Sequence, residues 1–390
     1  MAWVLATIAF IFVAVFLAVG VYFFSSPVKD FFSELAVKYG PKDISELSVS
    51  LSDIELPQEE EESLSEDEAI SEEDLSAIFG DEEEGVSEND LSARTVSTNQ
   101  AIGCRQEAEE LLSGLDLSEK VYQLFMVTPE ALTGVDAVTA AGEKTRQAYG
   151  EYPVGGILLD EKNTESQEQL IRLTSGLQNI SEEAVGVKLL LAIKDTSLSS
   201  NEAEYIKECG YNLFLSDSGE DGAARLDMLN QVGVYGCLGE YPVSDQVQDG
   251  ETLDYSQLEE LGLSDIRDMS DKGAYFIRVS NAILPEVTGE ELPASMSGIL
   301  ITQKLRLDMG YDGIVLTEDL CSLSEDYDTS EACVEAIKAG ADMVTLSENP
   351  KSCAEAIIEA VNEGTLSESR IDEAVLKLLE VKLSLGNLGE

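Results

Sequence analysis

The chain has 390 residues, enough for one large domain or two modest ones, and carries 24 Lys plus Arg against 77 Asp plus Glu, a formal charge of −53 at pH 7. So acidic a chain repels phosphate backbones and anionic headgroups, which excludes nucleic acid and docking of a folded body on an anionic bilayer. Histidine is absent, so a Ser-His-Asp triad, a Cys-His dyad and any His-ligated metal site are excluded.

In chain order, Ala2–Phe24 carries no charge and is rich in Ala, Val, Ile, Leu and Phe. As a helix it would rise roughly 34 Å, enough to cross a bilayer core. No small-x-small cleavage site follows, so residues 1–27 are expected to be an uncleaved transmembrane anchor. Asp53–Asp90 holds 18 acidic residues and no basic one in 38 positions, with Ser filling much of the rest. Such a segment cannot bury a core, and residues 28–100 are expected to be a disordered acidic tether. Ser71–Ala77 and Ser87–Ala93 form an imperfect repeat within it.

The folded part is expected over residues 101–390. Ser118 reads as the N-cap of a first helix, and eight short apolar runs follow: Leu124–Val127, Ile157–Leu159, Leu189–Ile193, Leu213–Leu215, Gly233–Cys237, Tyr275–Val279, Ile314–Leu316 and Met343–Leu346. Helical patterns separate most of them, including Gly298–Met309 and Glu331–Gly340, the latter closed by a Gly cap. The last helix carries Ile371, Val375, Leu378 and Lys382 on one stripe, with the Lys stem expected to snorkel. Eight β-then-α units predict an α/β fold of the (β/α)₈ TIM-barrel type; a Rossmann-type sheet lacks its Gly-x-Gly-x-x-Gly turn. Six cysteines (Cys104, Cys209, Cys237, Cys321, Cys333, Cys353) form no Cys-x-x-Cys pair and read as small buried apolar residues. Neither a metal nor another cofactor is expected.

One stretch ends an apolar run in two carboxylates: Tyr311-Asp312-Gly313-Ile314-Val315-Leu316-Thr317-Glu318-Asp319-Leu320. Charge at the carboxyl end of a buried parallel strand is where α/β folds place their chemistry. With Pro293-Ala294-Ser295-Met296-Ser297 before it, this stretch resembles the nucleophile region of glycoside hydrolase family 3, in its β-N-acetylhexosaminidase branch. Leu117–Val127 and Pro153–Leu159 resemble that family's N-terminal motifs, and the resemblance covers Leu115–Gly386.

The resemblance implies a retaining glycosidase with its nucleophile at Glu318, where the family has Asp, and with Asp319 matching the second Asp of the pattern. The family's sugar-binding Lys and His fall on Gly239 and Glu240, its sugar-binding His after the sixth strand on Asn281, and its Asp after the third strand on Lys194. Its Asp-Ser-His acid/base loop has no counterpart here. Glu240 is the candidate replacement acid, with Asp245 and Asp249 as lesser candidates. Asp319, Asn281 and Lys194 are candidate substrate-binding residues. The resemblance thus implies a membrane-anchored O-glycosyl hydrolase acting on carbohydrate, an N-acetylhexosamine-containing glycan in particular, with activity weak or lost. The alternative is a non-catalytic glycan- or protein-binding barrel, a pseudoenzyme. A glycan substrate places the barrel outside the cell, on a single-pass anchor in the cell membrane. Lys29, Lys38 and Lys42 after the span argue for the opposite face by the positive-inside rule, which leaves a cytosolic scaffold recruiting partners through its tether.

Overall fold

In a computed structural model that describes residues 104–195, 198–217, 221–243, 258 and 264–385, the short apolar runs become one parallel sheet wrapped by helices. Its strands are β1 (Phe125–Val127), β2 (Gly156–Leu159), β3 (Leu190–Lys194), β4 (Leu213–Ser216), β5 (Tyr235–Leu238), β6 (Glu240–Tyr241), β7 (Phe276–Val279), β8 (Ile314–Asp319) and β9 (Met343–Leu346). They lie in the order β5-β4-β3-β2-β1-β9-β8-β7-β6, every neighbour parallel. Parallel strands covered on both faces are continuously apolar, and Ile314, Val315 and Leu316 of β8 are all 0% exposed.

The two edge elements, β5 and β6, are halves of one crossing. Gly239 separates them at φ +74°, a left-handed conformation that costs any other L-residue about 1–2 kcal/mol. Before this kink Tyr235–Leu238 pairs with Leu213–Ser216 of β4; after it Glu240 and Tyr241 pair with Arg278 and Val279 of β7. One kinked strand therefore joins the two edges, and the sheet forms a nearly closed barrel consistent with the TIM type. Eight apolar runs thus become eight crossings and nine strand elements.

Two boundaries differ from the sequence expectation for local reasons. The fifth run starts late because Gly233 (φ +71°) and Val234 still close the preceding helix, Gly222–Val232, through N–H bonds to Asn230 O and Leu229 O. The helix Leu117–Gln123 is capped not by Ser118 but by Asp116, whose carboxylate accepts the Glu119 N–H while the Glu119 carboxylate accepts the Asp116 N–H, both at 2.9 Å. Ile299–Asp308 is helical as expected but wound as a π-helix. The helix Thr329–Ala339 ends at Gly340 (φ +115°), as its pattern predicts.

The last helix, Glu368–Ser384, buries Ile371, Val375 and Leu378 completely. Lys382 departs from expectation. It does not snorkel: it is 2% exposed, and its ammonium donates at 2.5 Å to Gln123 Oε1, just before β1. At the same amino-terminal end of the barrel, Asp342 (0% exposed) accepts from Arg306 at 2.5 Å, from Arg370 at 2.9 Å and from the Val315 N–H at 3.1 Å. This cluster ties β8 and β9 to two helices and leaves the opposite end for other work.

Among the described residues no helix is long and apolar enough to cross a membrane. The expected span Ala2–Phe24, the acidic tether and the carboxylates Asp245 and Asp249 lie outside the described residues.

Candidate active site

At the carboxyl ends of the strands, four elements bring charged side chains together. Arg278 of β7 is 4% exposed, a lone cation in the apolar run Phe276–Val279. Its Nη2 bridges two carboxylates: Asp217, which follows β4, and Glu240 of β6, the latter at 2.9 Å. Lys194, ending β3, adds a second cation, its Nζ 2.8 Å from Asp217 Oδ1. The register explains the meeting. Glu240 and Arg278 are direct partners on adjacent parallel strands, so their side chains share a face.

The two carboxylates are tuned in opposite senses. Burial alone would raise Asp217, but the Lys194 hydrogen bond and the Arg278 charge outweigh it and hold the carboxyl below its ordinary value. Glu240 is pushed up to about 7: burial dominates, the Glu318 and Asp217 charges push the same way, and Arg278 only partly offsets them. Glu318 stands at the carboxyl end of β8, one strand beyond the β7 partner of Glu240.

Glu318 is aimed by a bulge. Leu316 pairs with Met343 and Asp319 with Thr345, so β8 spends three steps where β9 spends two. Thr317 fills the irregularity, its hydroxyl accepting the Thr345 N–H at 3.2 Å while the Thr345 hydroxyl donates to Thr317 O at 2.9 Å. The strand therefore runs through the carboxylates instead of ending at Leu316. Glu318 Oε2 accepts the Asn281 N–H at 2.9 Å. The Asn281 side chain donates to Asp319 O and Ser322 Oγ, each at 3.0 Å, and accepts from Ser295 Oγ at 2.6 Å.

The predicted residues thus divide into two sets. Glu240 meets Arg278 directly, Lys194 joins them through Asp217, and Asn281 grips Glu318. Asp319 points elsewhere: its Oδ1 accepts the Cys321 N–H at 3.0 Å and the Ser347 N–H at 3.1 Å, capping the turn Leu320–Leu323. Sequence reasoning passed over Arg278, Asp217 and Ser295. A lone Arg inside an apolar strand was a readable signal for the first; nothing local marks Asp217, which is defined by what lies across the barrel. Arg278 Nε and Ser280 Oγ are buried without a hydrogen-bond partner among the described residues, so the mouth keeps unmet donors. Among the described residues no group of three or more Cys, Asp and Glu could hold a metal ion.

The fold and the mouth define a parallel β/α barrel with paired carboxylates at the carboxyl ends of its strands. Residues 247–381 match the Glycosyl hydrolase family 3 N terminal domain. The chain is 29% identical over 110 residues to a beta-N-acetylglucosaminidase/beta-glucosidase of Cellulomonas fimi, covering 27% of this chain and 20% of that protein. It is 22% identical over 267 residues to a beta-hexosaminidase of Hydrogenovibrio crunogenus, covering 65% of this chain and 73% of that one. A solved family 3 beta-N-acetylglucosaminidase from Paenibacillus sp. FPU-7 superposes with a TM-score of 0.62 at 24% identity, over 70% of this chain and 63% of its own, a likeness of fold. The chain spans 20% of the Cellulomonas fimi protein and 53% of a secreted glycosyl hydrolase of Arthroderma benhamiae.

Proposed function

We propose that this chain is a retaining O-glycosyl hydrolase of attenuated turnover acting on β-linked N-acetylhexosamine, with Glu318 as nucleophile and Glu240 as acid and base. One observation carries the reading: two carboxyl groups share the mouth, and the environment of Glu240 raises it to about 7. A carboxyl raised toward neutrality to act as acid, with a second carboxyl in the same mouth to act as nucleophile, is the division of labour that retaining hydrolysis needs.

The hydrogen bonds assign the oxygens. The Asn281 N–H occupies Glu318 Oε2, which leaves Oε1 to attack the anomeric carbon. Arg278 occupies Glu240 Oε1, which leaves Oε2 to carry the proton to the departing glycosidic oxygen. A water then enters, Glu240 Oε2 takes its proton, and its oxygen displaces Glu318 with net retention. Turnover is attenuated for two reasons. Arg278 opposes protonation of Glu240, and Glu318 is one methylene longer than the family's Asp, where a displacement of about 1 Å can cost 10²-fold.

The related enzymes' names support N-acetylhexosamine as the substrate class. The apolar run Ala2–Phe24 and the acidic segment Asp53–Asp90 support an anchor and tether, with the barrel on the outer face of the cell membrane, where glycans are. Protease digestion of intact cells that spares the barrel would place it inside instead.

The central test is hydrolysis of 4-nitrophenyl β-N-acetylglucosaminide by the full chain. Slow release of nitrophenol is expected, abolished by Glu318→Gln. Glu240→Gln should spare the first step with this activated leaving group, slow the water step for which Glu240 is the base, and slow alkyl glycosides about 10²-fold or more. A rate unchanged by Glu318→Gln would remove Glu318 from the nucleophile position, and no turnover at all would leave a barrel that only binds.

A further inference from the structure

The stretch Pro293-Ala294-Ser295-Met296-Ser297 precedes the nucleophile strand in sequence, yet no step assigned above uses it. In the structure Ala294–Met296 forms a single 3₁₀ turn laid against the end of β7. The Ser295 N–H donates to Ser280 O at 3.0 Å and the Ala294 N–H to Ala282 O at 2.8 Å, so the turn grips both neighbours of Asn281. Asn281 itself is held by its side chain. Its Oδ1 lies 2.6 Å from the hydroxyl of Ser295, a 0% exposed residue, and its Nδ2 lies 3.0 Å from both Asp319 O and Ser322 Oγ.

The network permits one orientation of this amide. A peptide carbonyl only accepts, so Asp319 O demands the NH₂ group; Oδ1 therefore turns to Ser295, and the Ser295 hydroxyl is the donor. The backbone N–H of the same Asn281 meets Glu318 Oε2 at 2.9 Å, the one hydrogen bond that the Glu318 carboxylate receives among the described residues. Aim at Glu318 thus depends on how firmly Asn281 is seated.

We propose that Ser295 is a positioning residue for the nucleophile: its hydroxyl locks Asn281 between the end of β7 and the turn after β8, and the locked residue presents the N–H that fixes Glu318. The inference rests on the reading of Glu318 as nucleophile. Being wholly buried, Ser295 touches no sugar and acts through Asn281 alone. Without the hydroxyl, Asn281 Oδ1 faces a methyl group and loses the partner that opposes its rotation. The N–H that holds Oε2 then drifts, and with it the angle at which Oε1 meets the anomeric carbon. Groups elsewhere in the mouth stay as they were, so the loss falls on the chemical step and not on binding.

Two measurements on the full chain in detergent test this. The first follows covalent labelling by 5-fluoro-β-N-acetylglucosaminyl fluoride through the intact protein mass, with digestion to locate the label; fluoride leaves without an acid, so Glu240 does not limit the step. The label is expected on Glu318. Ser295→Ala should slow labelling about 10- to 10²-fold at an unchanged half-saturating concentration, with a melting temperature only a few degrees lower. The second needs no sugar: by NMR, hydrogen exchange at the Asn281 amide should quicken roughly tenfold in Ser295→Ala while amides of β1 keep their rates. Should Ser295→Ala fail to fold, Ser295→Cys has nearly the same volume and only a weak donor, and carries the same expectations. A serine that only supports the fold would lower the melting temperature and leave both rates of the folded protein unchanged, which overturns the proposal. No label on wild-type Glu318 overturns the nucleophile reading and this inference with it; equal labelling rates in wild type and variant overturn the inference alone.

Discussion

Arg278 shows how much one buried cation can organise. It is 4% exposed and faces Asp217 and Glu240, so deleting it leaves Glu240 without its counter-charge and Asp217 with Lys194 alone. Arg278→Leu is expected to lower stability by about 3–5 kcal/mol in a urea titration at pH 8, and by less at pH 5, where a protonated Glu240 no longer repels its neighbour. Glu240 and Lys382 are strained in opposite directions of pH. Glu240 is raised to about 7, so the folded state resists its ionisation and stability declines as pH climbs from the unfolded carboxyl value toward 7. Burial pushes Lys382 down to about 7, so the folded state resists its protonation and stability rises with pH from about 7 toward the ordinary lysine value. Asp217 is lowered, so its contribution is present above the ordinary carboxylate value and vanishes as pH falls through the depressed one. Lys382→Met should therefore raise stability at pH 7 by about 1–3 kcal/mol and flatten the alkaline limb. An unchanged limb would place the charge of Lys382 in water.

At the scale of elements, two irregularities aim the site. Gly239 holds the left-handed kink that lets one strand pair with both β4 and β7, and Glu240 is the next residue. Gly239→Ala is expected to cost about 1–2 kcal/mol and to reduce turnover by more than that loss explains, because the adjacent carboxyl moves with the backbone. Thermal melts and aryl glycoside kinetics on the same sample separate the two effects. The β8 bulge is the second device. Asp319 anchors it by accepting two backbone N–H groups, so Asp319→Ala should destabilise by about 1–2 kcal/mol, with lost activity following Glu318's loosened position. Asn at this position keeps an acceptor oxygen and should restore most of the stability. A direct sugar contact would instead show as a raised KM at unchanged stability.

For the whole molecule, the core described above lies in the barrel, and the sequence boundary near Ala101 predicts that residues 101–390 fold without the preceding segment. That fragment should melt in one cooperative transition and stay soluble, as seen by circular dichroism and light scattering. Aggregation or a broad melt would move the boundary toward the amino terminus. With 55 acidic against 20 basic residues in 101–390, its stability should also rise with modest salt, which screens self-repulsion.

The barrel was legible in the sequence because burial on both faces writes itself into composition. Eight apolar runs, a Gly cap after Ala339 and the stripe Ile371–Leu378 depend on local spacing, and each appears in the structure where the pattern put it to within a few residues. The absence of histidine likewise excluded whole classes of chemistry without any coordinates. Glu318 and Glu240 were also visible, as charges ending apolar strands. What the sequence could not carry was who faces whom. Arg278 and Glu240 lie on two strands and Asp217 follows a third, and only closure of the barrel through the kink at Gly239 brings them within hydrogen-bond reach. Lys382 read as a snorkelling side chain because spacing sees only the stripe, not that the helix end abuts Gln123 at the foot of β1. Asp319 read as a ligand because its capping partners, Cys321 and Ser347, are set by the β8 bulge and by the end of β9. Burial follows from a residue's own chemistry and spacing, whereas ion pairing and pKa depend on neighbours that only the tertiary structure supplies.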